Sequence, residues 1–139
     1  MEDTGLFGRR LEVAMKITTV DPPREYQCGF DIKRTIRDCA RVQLEADEQI
    51  TFLADCGAEY DVTKKDFGFY ATPSTNGRLA RFGLRTAIAR NRLGQLFVLL
   101  VERGKEPLFD RYLGEEKMQL VAWLDTDDQA EALVRDLQT

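Results

Sequence analysis

The chain has 139 residues, 43% of them hydrophobic and 32% charged, a length and balance that suit one compact domain needing neither metal nor disulfide staples. It contains no histidine, which excludes a Ser-His-Asp triad, a Cys-His pair, a His-ligated metal and an imidazole proton shuttle. The net charge of −4 hides a segregation: residues 1–63 hold 8 basic and 13 acidic side chains, residues 64–92 hold 7 and 1, and residues 93–139 hold 5 and 10.

Leu6, Phe7, Leu11 and Val13 are spaced for neither helix nor strand, so residues 1–14 are expected to be an arm, mobile or docked on a partner, ahead of a single domain over 15–139. Acidic residues precede Arg9–Arg10 and no continuous apolar core follows, unlike a secretory signal. The longest apolar run, Leu96–Val101, falls far short of the ~18 residues that cross a bilayer. A cytoplasmic chain without membrane contact is the expectation.

Order is expected to begin at Met15 in MKITTV and to be broken by Asp21-Pro22-Pro23. Alternation from Ala40 through Val42 and Leu44 predicts a half-buried strand, and Ile50–Leu53 a second. Asp55-Cys56-Gly57 supplies turn chemistry before Tyr60 and Val62 resume alternation in a third strand, so the second and third strands should form a hairpin. Phe67, Phe69 and Tyr70 mark an aromatic strand that must end at Thr72-Pro73. Leu79 and Phe82 followed by Gly83 favour one helical turn over an Asn76-Gly77 hairpin. Leu84–Arg90 and Gln95–Val101 flank the turn Asn91-Arg92-Leu93-Gly94 and predict a second hairpin.

Pro107 with Leu108, Phe109, Tyr112 and Leu113, ending at Gly114, predicts a short amphipathic helix. Met118–Leu124, with the single Trp123, reads as a buried strand. Thr126 and Gln129 form a capping-box pair ahead of Ala130, Leu133, Val134 and Leu137, which share one helical face. The fold class is therefore α+β, a predominantly antiparallel sheet, curled or partly closed, with two short helices toward the C-terminus. Cys28, Cys39 and Cys56, at separations of 11 and 17, match neither a redox pair nor a zinc site and read as small buried hydrophobes of a reducing compartment. No metal and no cofactor is expected.

Functional interest centres on Tyr60–Asn91. Thr72, Ser74, Asn76 and Gly77 could turn backbone N–H groups toward an anion, with Arg78 and Arg81 one turn apart on the following helix; a forked guanidinium binds two oxygens at once. Asp61, Asp66 and Tyr70 are the candidate catalytic side chains, since carboxylates can do acid–base work without histidine. Phe67, Phe69, Tyr70 and Phe82 could stack on a sugar or base, although strand aromatics more often fill a core. The glycines form neither GxGxxG nor a P-loop.

Two resemblances bear on these residues. Arg37-Asp-Cys-Ala-Arg41 and Ser74-Thr-Asn-Gly77 resemble the RxxxR and SxxG elements of PilZ domains, small β-barrels that bind cyclic di-GMP, with Thr72 standing where that motif has Asp or Asn. From Met15 to Asp125 the chain is similar to a group of small uncharacterised bacterial proteins associated with surface-polysaccharide biosynthesis regions. The stretches carrying that likeness are EYDVTKKDFGFYATPSTNGRLARFG, LRTAIARN and VLLVERGKE. It implies a cytoplasmic accessory role near sugar or nucleotide-sugar enzymes and transfers no catalytic residue.

With no complete catalytic motif, the leading expectation is a non-catalytic module that binds an anionic small molecule, such as a nucleotide-sugar, or a partner enzyme through its basic segment. A carboxylate- and Tyr-dependent enzyme acting on a sugar is one alternative, and nucleic-acid or cyclic-dinucleotide binding another. The sequence pI near 5.0 opposes nucleic acid, because residues outside the basic segment would repel its backbone. The apolar arm makes a homo-oligomer conceivable.

Overall fold

A computed structural model describes residues 15–71 and 73–138; the arm of residues 1–14 and Thr72 lie outside them. Eight strands pair entirely antiparallel in three sheets, none of them closed. No helix among the described residues is long and apolar enough to cross a membrane.

The first sheet is a ribbon of β1 (Lys16–Cys28) and β2 (Arg34–Gln43). Strand β1 continues past Pro22 and Pro23, but the break expected at Asp21-Pro22-Pro23 is present in its pairing, which is interrupted and shifts register between Thr19 and Arg24. Residues 20–23 have no Cα partner, only Cys39 lying across from them on β2, and prolines in such a bulge remove no ladder hydrogen bond. At the ribbon's tip, Gly29 takes φ +117, and a Cβ would strike the Ile32 carbonyl. Glycine alone tolerates both conditions.

The second sheet orders β3 (Gln49–Leu53), β4 (Glu59–Lys65) and β5 (Gly68–Tyr70). Its β3–β4 hairpin is the one that Asp55-Cys56-Gly57 predicts. The four-residue helix α1 (Arg78–Arg81) follows, as the Leu79–Gly83 pattern requires. In the third sheet β6 (Leu84–Arg90) lies between β7 (Leu96–Glu102) and β8 (Gln119–Trp123). Helix α2 (Glu106–Glu115) joins β7 to β8, and α3 (Asp127–Leu137) closes the described chain. In α3 both halves of the capping box form: Thr126 accepts from the Gln129 N–H, and the Gln129 side chain accepts from the Thr126 N–H.

The principal core lies between the third sheet and α2. Ala87 and Ala89 on β6 leave room for Phe109 and Leu113 of α2, with Val101 beside them and Trp123 edge-on to Phe109. A smaller cluster of Ala58, Leu79 and Leu84 ties α1 and the β3–β4 hairpin to β6. Much that reads as core is outside it. Helix α3 has no buried residue, Phe67 is 80% exposed, and Phe69 and Tyr70 are exposed at an edge strand. All three cysteines are exposed, because Cys28 and Cys39 belong to the ribbon and Cys56 to the β3–β4 turn, where its thiol meets Glu102 at 3.2 Å.

Candidate functional site

The basic segment meets two different fates. Arg78, at the start of α1, donates from Nε to the Asp61 carboxylate of β4 at 2.5 Å, lies 3.8 Å from Glu59, and stacks on Phe82. Asp61 is only 6% exposed and also accepts from the Thr51 hydroxyl at 2.8 Å. The hydrogen bond from Arg78, seconded by that from Thr51, holds the Asp61 carboxyl below the usual carboxylate range against the burial that would raise it. Arg85 is held likewise, by Asp125 at 2.9 Å and Glu106 at 3.2 Å, with its guanidinium over Trp123. Lys65 pairs with Asp47 at 2.6 Å, and Lys64 donates to the Lys65 carbonyl.

The loop ahead of α1 is self-satisfied. Ser74 Oγ accepts from the Arg78 N–H at 2.9 Å, and the Ser74 carbonyl accepts from the N–H groups of Gly77 and Leu79. Three of the N–H groups that an anion cradle could use, those of Gly77, Arg78 and Leu79, are thus engaged within the loop. Asn76 donates to Asp127 at the start of α3. Arg81 is exposed and has no partner among the described residues.

Asp66 is exposed in the β4–β5 turn, and Tyr70 stands opposite Thr63. No hydrogen bond joins either to Asp61 among the described residues. Arg37 and Arg41 of the PilZ-like motif lie on β2, and no hydrogen bond brings them to Ser74 or Gly77. Among the described residues, no three His, Cys, Asp or Glu side chains are grouped to hold a metal.

The remaining arginines, Arg90 and Arg92, flank the β6–β7 turn. With Asn91, Lys117 and Gln119 they line a depression of about 330 Å³. Neither arginine has a carboxylate partner among the described residues; Arg92 lies 3.8 Å over the Phe30 ring, and Lys117 is 3.9 Å from Asp31. Asn91 shapes the turn by accepting from the N–H groups of Leu93 and Gln95.

A second cleft, of about 310 Å³, shares Asn91 and Arg92 with that depression and is lined by Phe30, Phe97, Leu99 and Tyr112. Its outer wall is the ribbon tip, latched to the end of α2: Arg34 bonds Glu115 and Glu116, and Glu116 also accepts from the Phe30 N–H at 3.1 Å. Sequence reasoning counted Arg90 and Arg92 in the basic segment but gave them no site. The aromatic wall comes from residues 62 or more positions away from Phe30, beyond any local motif. No family model, curated protein or solved structure matches the chain.

Proposed function

We propose that this protein is a non-catalytic module that binds an anionic small molecule of the nucleotide-sugar type at the β6–β7 turn. The observation that carries this reading is the division of the basic segment. Arg78, Arg85 and Lys65 are neutralised by carboxylates, whereas Arg90 and Arg92 converge, without carboxylate partners among the described residues, on one concave surface with Lys117. Cations in that state favour phosphate oxygens, which guanidiniums can bind in pairs. The adjoining cleft is lined by Phe30, Phe97 and Tyr112, aromatic surface that suits a base or sugar ring beside the guanidiniums that lie over Phe30 and Tyr112. The likeness to proteins of surface-polysaccharide regions agrees with such a ligand and with a cytoplasmic accessory role.

Asp61 does not suit a general acid, which needs a carboxyl held protonated near neutral pH, because the Arg78 guanidinium holds its carboxyl below the usual carboxylate range.

Calorimetric titration with UDP-glucose, and separately with inorganic pyrophosphate, tests the proposal. Arg90→Ala combined with Arg92→Ala should weaken binding about tenfold or more, equivalent to about 1.4 kcal/mol, while thermal stability moves by less than about 1 kcal/mol, as for exposed positions. Absence of binding to both compounds, or equal affinity in the double variant, rejects it.

A further inference from the structure

In the order β7-β6-β8, strand β7 has a neighbour on one side only. The Asn91 N–H donates to the Gln95 carbonyl at 3.0 Å and the Arg103 N–H to the Gly83 carbonyl at 2.9 Å. Between these bonds Phe97, Leu99 and Val101 stand opposite Ala89, Ala87 and Arg85. Antiparallel ladders alternate, so these odd-numbered residues turn their backbone groups toward β6. The N–H and C=O groups of Leu96, Val98 and Leu100 therefore point to the outer side, where no strand pairs with β7 among the described residues.

Natural sheets blunt such edges with proline, lysine, inward charge or a bulge. Residues 96–101, LFVLLV, contain no proline and no charge, and their register with β6 is unbroken. Leu96 is 65% and Val98 56% exposed.

The geometry points to an isologous dimer in which β7 pairs antiparallel with β7 of a second copy across a two-fold axis at Val98. That register places the outward-facing Val98 opposite Val98, Leu96 opposite Leu100 and Phe97 opposite Leu99, so the pairs across residues 96–100 are all apolar, with Val101 opposite Gln95 beyond them. Two three-stranded sheets become one of six strands. A two-fold axis sets a patch against itself, and residues 96–100, which carry no charge, present nothing that repels their own copy.

The area sets the strength. The five residues 96–100 span about 17 Å, and a sheet about 10 Å deep gives on the order of 170 Å² per partner, against ~800 Å² in a standard interface. The dimer is accordingly weak and concentration-dependent.

Sedimentation of the full chain from about 10 µM to about 1 mM, a range covering dissociation constants of weak complexes, should show the mass doubling. Hydrogen exchange over the same range should slow at the outward amides of Leu96, Val98 and Leu100 and stay constant at Phe97, Leu99 and Val101, which β6 already protects. Val98→Pro removes an outward N–H without touching the β6 ladder, and Val98→Lys adds an edge charge; both should remain monomeric, while Phe67→Ser, at the β4–β5 turn, should dimerise like the wild type. A chain that stays monomeric, a dimer untouched by Val98→Lys, or a dimer whose outward amides keep their rates would each overturn the inference.

Discussion

The β1–β2 ribbon and the β6–β7 hairpin start from similar material, two antiparallel strands with apolar residues at alternate positions, and end in opposite environments. In β6–β7 the side chains at Ala87, Ala89 and Val101 meet α2, and Phe109 and Leu113 close over them. In the ribbon, Tyr26 stands opposite Ile36 and Ile17 opposite Val42, yet all four remain exposed. Asp38 and Arg24 interrupt the apolar face between those pairs and bond each other. Alternation makes a strand, but only a second layer makes a core. The ribbon is held instead at its tip, through Arg34, Glu115, Glu116 and the Phe30–Arg92 stack, so its stability is local where that of the hairpin is global.

The hardest test of this contrast is removal of the cored side. Phe109→Ala leaves a cavity among Ala87, Ala89, Val101 and Leu113 and should cost about 3–5 kcal/mol, seen as a lower urea midpoint. The corresponding ribbon change at the exposed Ile36, Ile36→Ala, should cost less than about 1 kcal/mol. Equal losses would show that the ribbon is covered in solution.

Arg78→Ala comes next. It strips the cation from the buried Asp61 carboxylate, and because the Arg78 side chain is 40% exposed solvent screening reduces the loss to about 2 kcal/mol. The depressed Asp61 pKa makes this contribution complete above the unfolded value near pH 4, and it is lost as pH falls through the folded value. Stability curves of wild type and variant should therefore converge in acid; a constant gap from pH 7 down to pH 2 would contradict the ion-pair account.

The smallest change in global stability is expected from Arg34→Ala. Amides of residues 16–28 and 34–43 should exchange faster while the global unfolding midpoint stays with the wild type. A falling midpoint would place the ribbon inside the cooperative unit.

Several elements were legible along the chain. The β6–β7 hairpin follows from alternation around Asn91–Gly94, and α3 from the Thr126–Gln129 box, whose two hydrogen bonds both form. The preference for a helical turn at Leu79 over a hairpin at Asn76-Gly77 is met by α1. That β1 resumes its pairing beyond Pro22-Pro23 was not legible, since it depends on Arg24 meeting Asp38 after a bulge of unpaired residues. The exposure of Phe69, Cys39 and Leu96 was hidden for the same reason: their residue types describe what could be buried, not what lies opposite them. Of the candidate site, the sequence showed the basic segment as a whole, and Ser74, Asn76, Arg78 and Arg81 stood out within it only by their spacing.

By itself the sequence determined strand and helix pieces and the excess of cations over residues 64–92, because turn residues, caps and side-chain periodicity act over a few neighbouring positions. Which cations remained available was a tertiary decision. Arg78 meets Asp61 across 17 positions and Arg85 meets Asp125 across 40, while the approach of Phe30 to Arg92 joins the ribbon tip to the β6–β7 turn. A charge is neutralised by the carboxylate that folding brings within a few ångströms, and no count along the chain can supply that distance.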